Sequence, residues 1–493
     1  MKKKPNIVLF IPDSYRGDVL GHQGNRGAVT PHLDALVARD AVSYSNAFAQ
    51  NPVCTPSRCS FMTGWYPHVH GHRSMRNMLK EYEPNVLTVL RREGYQVWWG
   101  GKNDLVSVRQ KEDYLHYCDV KFSAEGKYKS HMDYHWPSPL AADDPRHGAF
   151  YNGVLTRNGT GPRHWDEDTA LTLGAVDMIR NRTGDQPFLC FLPLSKPHPA
   201  YYAEEDFYNA IDPQLLPPRI PVPGEDARLP EILDALRAEF RSDRITEEMW
   251  REVKRVYYAM CSKMDALFGR VVEALRERGL YDDTWIFFFS DHGDFAGDYS
   301  LPEKTHSTLQ DCLLRVPLVV KPPVGIPVKP GNRRQLAELM DITATLYDML
   351  GIDPGYDSQG VSLRASLAGD ETPLHDAVFA EVGGRKNEPG FVNKEVLKLP
   401  PDSFYARQGR ASIPCHEAGS HAVMCRTLQH KYIRRYYTGH HELFDLTADP
   451  DETRNVSGQP GYADVERRME ERLLDFFMRT ADVIPRIPDS RET

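Results

Sequence analysis

Three groups of side chains in this sequence could do chemistry together: one cysteine, a set of hard metal-binding groups, and a set of cations. The cysteine is Cys54, in the run Cys54-Thr55-Pro56-Ser57-Arg58-Cys59-Ser60-Phe61-Met62-Thr63-Gly64. Pro56 and Ser57 suit a helix start. Cys54 then lies at a helix N-terminus, where backbone N–H groups and the dipole favour an anion. A buried cysteine ahead of a helix explains the same position without chemistry. A cysteine phosphatase loop would need arginine where Ser60 stands. A site of covalent modification is the third reading.

The other two groups lie at the ends of four apolar runs. Asn6–Ile11 leads to Asp13, and Tyr95–Trp99 leads to Gly100-Gly101-Lys102-Asn103-Asp104. Pro187–Leu194 leads to Ser195-Lys196-Pro197-His198, and Thr284–Phe289 leads to Ser290-Asp291-His292-Gly293. In open α/β sheets, ligands bind outside the carboxyl ends of the strands. If these runs are parallel neighbours, their polar ends gather at one edge. Asp13, Asp291 and His292 then suit a divalent cation; oxygen-rich ligation favours calcium, magnesium or manganese over zinc. Lys102, His198 and Lys304 suit the outer oxygens of a tetrahedral anion. Together they fit hydrolysis of a sulfate or phosphate ester, in which charge is held on nonbridging oxygens while the leaving oxygen is protonated. A single aspartate at a strand end is more often a turn or cap. The argument rests on the coincidence at four runs.

The elements that must position these groups follow from the apolar pattern. Through about residue 350, short β-rich runs alternate with helical stripes, as in a sheet covered by helices on both faces. Thr30-Pro31 opens a helix carrying Leu33, Leu36 and Val37, with Thr30 as N-cap. A long helix spans about 246–278 and ends at Gly279; another is capped by Asp341 and stops at Gly351. The Gly-, Asp- and Ser-rich stretch 351–372 reads as a boundary between an α/β domain, 1–370, and a smaller α+β subdomain, 371–493. The second part carries strand-like runs at 377–381, 421–425, 431–436 and 442–446, then a helix near 465–479. Stretches 107–165, 200–244 and 383–419 read as long loops, which are usually functional, and are expected to build the substrate pocket.

Composition excludes several classes. The chain has 493 residues, 41% apolar and 26% charged, so it is not disordered, collagenous or coiled-coil. A net charge of −9 argues against nucleic acid as the main partner but leaves room for a small anionic ester in a locally cationic cleft. No apolar run approaches the roughly 18 residues of a membrane span. Lys2-Lys3-Lys4 ahead of Asn6–Ile11 imitates a signal peptide, but the apolar stretch is short and runs into Pro12-Asp13. The eight cysteines include no Cys-x-x-Cys pair and fit reduced thiols. These features lead us to expect a cytoplasmic protein, with its oligomeric state open.

The motifs resemble those of the type I sulfatases of the alkaline phosphatase superfamily. Cys54-x-Pro56-Ser57-Arg58 followed by Thr63-Gly64 is similar to the signature in which cysteine is oxidised to Cα-formylglycine. Asn6–Asp13, Thr30–Asp34, Gly101-Lys102, Pro197-His198, Ser290–Gly293 with Lys304, Arg315–Leu318 and Glu442–Leu446 follow the family's landmarks in order. The resemblance implies a large mixed, mostly parallel sheet flanked by helices, plus a small C-terminal domain with an antiparallel sheet and a helix. It implies a formylglycine-generating maturation enzyme as partner and calcium as the metal, held by Asp13, Ser14, Cys54, Asp291 and His292. It also implies a hydrated aldehyde at position 54 whose one hydroxyl attacks sulfur and whose other expels sulfate. Arg58 would orient that diol, Lys102 would bridge it to the sulfate, and His198 with Lys304 would protonate the leaving alcohol.

Two positions depart from the pattern. Ser14 stands where the family usually has a second acid, which the related phosphonate monoester hydrolases likewise lack. Asp104 stands where the family has a histidine base; it could serve as that base or make a structural hydrogen bond. Asn77 and His306 are further substrate-binding candidates, whereas His68, His70 and His72 read as a polar loop. The leading expectation is a sulfatase acting on a sulfated carbohydrate or aryl sulfate. The alternative is a phosphonate monoester or phosphodiester hydrolase on the same scaffold, and the remote one a noncatalytic anion-binding protein with unmodified Cys54.

Overall fold

Ile7, Leu9 and Ile11 alternate with Val8 and Phe10, and all five are buried. A strand that is apolar on both faces must be covered on both faces. The computed structural model describes residues 4–123, 140–141, 143–155, 166–385, 388, 394–415, 420–483 and 486. Its strands are β1 (Asn6–Asp13), β2 (Val42–Phe48), β3 (Gln96–Gly100), β4 (Val120–Phe122), β5 (Tyr151–Leu155) and β6 (Phe188–Pro197). They continue with β7 (Tyr201–Glu204), β8 (Thr284–Phe289), β9 (Arg315–Val316), β10 (Leu318–Lys321) and β11 (Gly331–Glu338). The large sheet has the order β11-β2-β10-β8-β1-β6-β3-β4, with β9 on β2. Strands β9 and β10 pair antiparallel and the other pairs are parallel.

Strands β8, β1, β6 and β3 are adjacent and parallel, so the four polar-ended runs do open at one edge. The chain leaves β1 for β2 on one side and reaches β3 on the other. That reversal is the switch point at which such sheets form their clefts. Val8 and Phe10 pack against the helices Pro31–Arg39, Glu167–Arg180 and Glu247–Glu277. Ile7, Leu9 and Ile11 pack against the helices Cys54–Thr63, Val86–Arg92 and Asp341–Leu350. Burying one such side chain is worth roughly 1.5–3 kcal/mol, so burial on both faces anchors the site-bearing strands.

The C-terminal strands β12 (Val378–Val382), β13 (Ala422–Arg426), β14 (His430–Arg435) and β15 (Glu442–Asp445) form an antiparallel sheet in that order. Met469, Leu473 and Phe476 of the helix Ala463–Thr480 close one face, sharing a core with Tyr66 and Met340. The other face meets Phe48, Leu309 and Leu336 of the larger part. Among the described residues, no helix is long and apolar enough to cross a membrane.

Several expectations need correction. Residues 200–244 are not a loop: they carry β7 and the helices Glu205–Ala210 and Glu231–Phe240. Ile232, Leu233, Leu236 and Phe240 form its buried stripe, masked in the sequence by the prolines at 213, 217, 218, 221 and 223. Residues 404–412 inside 383–419 are also helical, and 107–165 holds β4 and β5 in its described part. Within 351–372, Leu363 and Leu367 are buried in the core that holds Ile7. Thr30 does occupy the N-cap position of its helix, but its hydroxyl donates to the Asp34 carboxylate instead of accepting from a helix N–H. Asp341 is the first residue of its helix rather than the cap. Its carboxylate accepts from the Glu338 and Val361 N–H groups and pairs with His375 at 2.9 Å.

Candidate active site

Strands β1 and β8 end side by side, which brings Asp13 next to Asp291 and His292; all three are fully buried. The helix Cys54–Thr63 points its first residue at this pair of strand ends. Ser57 anchors it by donating to the Asp291 carbonyl at 2.5 Å. Arg58, one turn into the helix, bridges both carboxylates: Nε to Asp291 Oδ2 at 2.9 Å and Nη2 to Asp13 Oδ2 at 3.0 Å. Arg58 therefore holds the carboxylates; among the hydrogen bonds of the described residues, none joins it to Cys54.

Cys54 Sγ lies 3.2 Å from His292 Nε2 and 3.8 Å from Asp13 Oδ1. Asp13, Cys54, Asp291 and His292 each offer one ligand atom, and these atoms lie within 4.8 Å of one another. His292 Nδ1 is 2.8 Å from the Gly293 carbonyl. That contact makes Nδ1 the protonated nitrogen and leaves the Nε2 lone pair facing the cluster, as metal-binding histidines require. Burial pulls the imidazole down to about 4, so it is neutral and ligand-competent. Burial alone would raise Asp13, but Lys102 and Arg58 hold its carboxyl well below the usual range. Two ionised carboxylates, a neutral imidazole and the side chain at 54 fit a divalent cation. Burial, with Asp13 beside it, pushes the Cys54 thiol well above its usual range. A resting thiolate nucleophile is therefore disfavoured.

Lys102, carried just past β3, reaches Asp13 Oδ2 at 2.6 Å and Cys54 Sγ at 3.7 Å. Asp104 pairs with Lys102 at 2.8 Å; Lys102 and Arg58 overcome its burial and lower its carboxyl. Past β6, His198 Nδ1 donates to the Pro199 carbonyl at 2.6 Å, which leaves Nε2 to accept from Lys304 Nζ at 2.8 Å. An ammonium thus donates to an imidazole above the cysteine, an arrangement able to pass a proton to a leaving oxygen.

A cavity of about 430 Å³ opens over these groups. Cys54, Arg76, Lys102, Asp104, His198, Glu303, Lys304 and His306 line its charged side. Burial, with Lys304 nearby, lowers His306 to about 4, so it faces the cavity as a neutral imidazole. Met75, Val396, Leu399, Tyr405 and Ile413 form apolar wall. Of the three stretches expected to build the pocket, 383–419 does so; no described residue of 107–165 or 200–244 lines this cavity.

Ser14 lies against the cluster, whereas Asn77 and the histidines at 68, 70 and 72 fall away from the cavity. Ser14, at φ 68°, donates its hydroxyl to Asp13 Oδ1 at 2.9 Å and thereby orients that carboxylate. Asn77 is not on the cavity wall. Its side chain accepts from Ser74 at 2.5 Å and its carbonyl bonds His72, so it shapes the loop that presents Ser74 and Met75. His68 pairs with Glu381, and His70 and His72 with Glu83, away from the cavity. Glu303 was not anticipated. An acid beside a lysine reads in a sequence as a surface pair, yet Glu303 is 1% exposed and touches both His198 and Lys304.

Arg58 is the buried countercharge of two buried carboxylates. Arg58→Met is expected to destabilise the metal-free protein by about 3–5 kcal/mol. Millimolar calcium should recover most of that loss, because a cation substitutes for the lost charge. Thermal unfolding with and without calcium checks this; an equal loss in both conditions would contradict it.

The sheet order and a metal-type cluster at its switch point define an ester hydrolase of the alkaline phosphatase kind. The chain belongs to the Sulfatase family, whose model matches residues 5–352. It is similar to arylsulfatase K of Homo sapiens, 27% identical over 92% of this chain and 79% of that protein. It is equally similar to choline-sulfatase of Rhizobium meliloti, 27% identical over 93% of this chain and 83% of that one. In fold it matches the crystal structure of the phosphonate monoester hydrolase of Agrobacterium radiobacter with a TM-score of 0.76. That match has 21% identity and covers 98% of this chain and all of the other. The chain is accordingly a sulfuric ester hydrolase.

Proposed function

We propose that this sulfatase hydrolyses the sulfate monoester of an alcohol with an apolar face, an aryl group or the apolar face of a sugar. Cys54 acts after oxidation to Cα-formylglycine by a maturation enzyme of the host. The observation that carries this reading is the cluster of Asp13, Cys54, Asp291 and His292 with Lys102 against it, under a cavity. Asp13, Asp291, His292 and the side chain at 54 would hold a divalent cation, calcium by family resemblance. When bound, the cation supplies Lewis acidity toward the ester and acidifies a hydroxyl of the hydrated aldehyde.

The chain's own residues do the rest. Arg58 fixes the outer oxygens of both carboxylates, so their inner oxygens stay directed at the cluster. Lys102 stands between Asp13 and position 54, where a nonbridging oxygen of the ester would meet it. His198, fed by Lys304, delivers a proton to the leaving oxygen. Asp104 holds Lys102 in place and lies on the cavity wall, where it can also take a proton. Met75, Leu399 and Tyr405 exclude water and favour an apolar alcohol.

The phosphonate or phosphodiester reading is favoured by one observation, the neutral Ser14 beside Asp13. A rate panel with matched p-nitrophenyl sulfate, phenylphosphonate and phosphodiester decides between them. The sulfate ester is expected to give the highest kcat/KM; a higher value for either phosphorus ester would overturn the sulfatase assignment of substrate. The cytoplasm is the proposed compartment, which fractionation of the native host checks.

A further inference from the structure

We propose that Glu303 makes the cavity selective for singly charged esters over doubly charged ones, a specificity role that deepens the sulfatase reading and rests on it. Glu303 Oε1 lies 3.1 Å from Lys304 Nζ and 3.2 Å from His198 Nε2. Oε2 is buried and, among the described residues, has no hydrogen-bond partner. Burial would raise this carboxyl, but the Lys304 ammonium beside it holds it down at about 2. It is therefore a full negative charge behind the two groups that face the leaving oxygen. Its backbone is left-handed, at φ 58°. A non-glycine residue in that region costs of order 1–3 kcal/mol and persists where the surroundings impose it. Here the surroundings are the Tyr201 hydroxyl, 2.7 Å from the Glu303 N–H, and the Phe295 N–H on its carbonyl at 2.8 Å.

Charge counting gives the consequence. Both lysines on the cavity wall are matched by a carboxylate, Lys102 by Asp104 at 2.8 Å and Lys304 by Glu303 at 3.1 Å. Arg58 is engaged with Asp13 and Asp291. A sulfate monoester carries one negative charge, whereas a phosphate monoester carries two at alkaline pH. Arg76 also lines the cavity and a bound cation would add two charges, so the discrimination rests on Glu303 itself, whose fixed negative charge repels a dianion about twice as strongly as a monoanion. At separations of about 5 Å and an effective dielectric near 20, one such repulsion is enough for a discrimination of about tenfold or more.

The experiment uses matured, metal-loaded protein and three p-nitrophenyl esters: sulfate and phenylphosphonate, each a monoanion, and phosphate, a dianion at alkaline pH. Glu303→Gln is expected to raise kcat/KM for phosphate by about tenfold relative to both monoanions, whatever happens to absolute rates. Glu303→Asp, which keeps the charge, should leave that ratio near its original value. A merely structural role would lower all three rates by one factor, and that result would overturn the proposal. The unsubstituted protein gives a second measurement through two isosteric inhibitors, phenylsulfonate and dianionic phenylphosphonate. The sulfonate should inhibit at least as tightly; tenfold tighter inhibition by the dianion would overturn the proposal even if Glu303→Gln does not fold. If phenylphosphonate ester outruns sulfate ester, the substrate assignment fails, but the monoanion-to-dianion ratio still tests Glu303.

Discussion

Cys54→Ala is expected to lower turnover of sulfate esters by at least ~10⁴-fold, because under the proposed reading it removes the nucleophile and leaves only binding and electrostatic stabilisation. The side chain at 54 lies 3.2 Å from His292 Nε2 and 3.7 Å from Lys102 Nζ, between the metal-type cluster and the cation expected to face the ester. Its loss leaves the helix intact, since Ser57 and Arg58 still tie that helix to Asp291. The variant should therefore unfold within a few degrees of the parent. Steady-state rates together with thermal unfolding check this. A folded variant retaining more than a hundredth of the parent rate would contradict the assignment of position 54.

Lys102→Ala is the second large effect. Removing a cation aimed at developing negative charge costs typically 10²–10³ in rate, and Lys102 has a further part in neutralising Asp13 at 2.6 Å. We expect kcat/KM to fall by about 10³-fold. Metal affinity should not fall with it, because Lys102 competes with a bound cation for Asp13. Calorimetric titration with calcium should give binding as tight as the parent's or tighter. Loss of metal binding in parallel with activity would mean that Lys102 only supports the fold around Asp13. Full activity would mean that the anion is held elsewhere.

Much of this site could be read from the residues alone, for a physical reason. Its members sit at the carboxyl ends of buried parallel strands, and such strands announce themselves as short apolar runs ending in polar residues. Asp13, Lys102, His198 and the Asp291-His292 pair were all legible in that way. Their adjacency was not, since strand order is set by packing of helices far away in sequence. Glu303 escaped because burial cannot be read from one acid next to one lysine. The stretch 383–419 was legible as pocket wall but its lining residues were not: Val396, Leu399 and Ile413 flank a helix, 404–412, whose periodicity is too short to stand out. Asn77 was misassigned because sequence proximity to the Cys54 motif does not fix which side of a turn faces the cavity. The hold of Arg58 on Asp13 and Asp291 was not legible either, because a guanidinium spanning two strand ends depends on how those strands pack.

The central claim is that position 54 carries an aldehyde beside the metal-type cluster. Mass spectrometry of the peptide spanning Cys54, from active protein purified from its native host, tests it most directly. The account predicts a formylglycine residue that reacts with a hydrazine probe. An unmodified thiol in protein that turns over sulfate esters would contradict it.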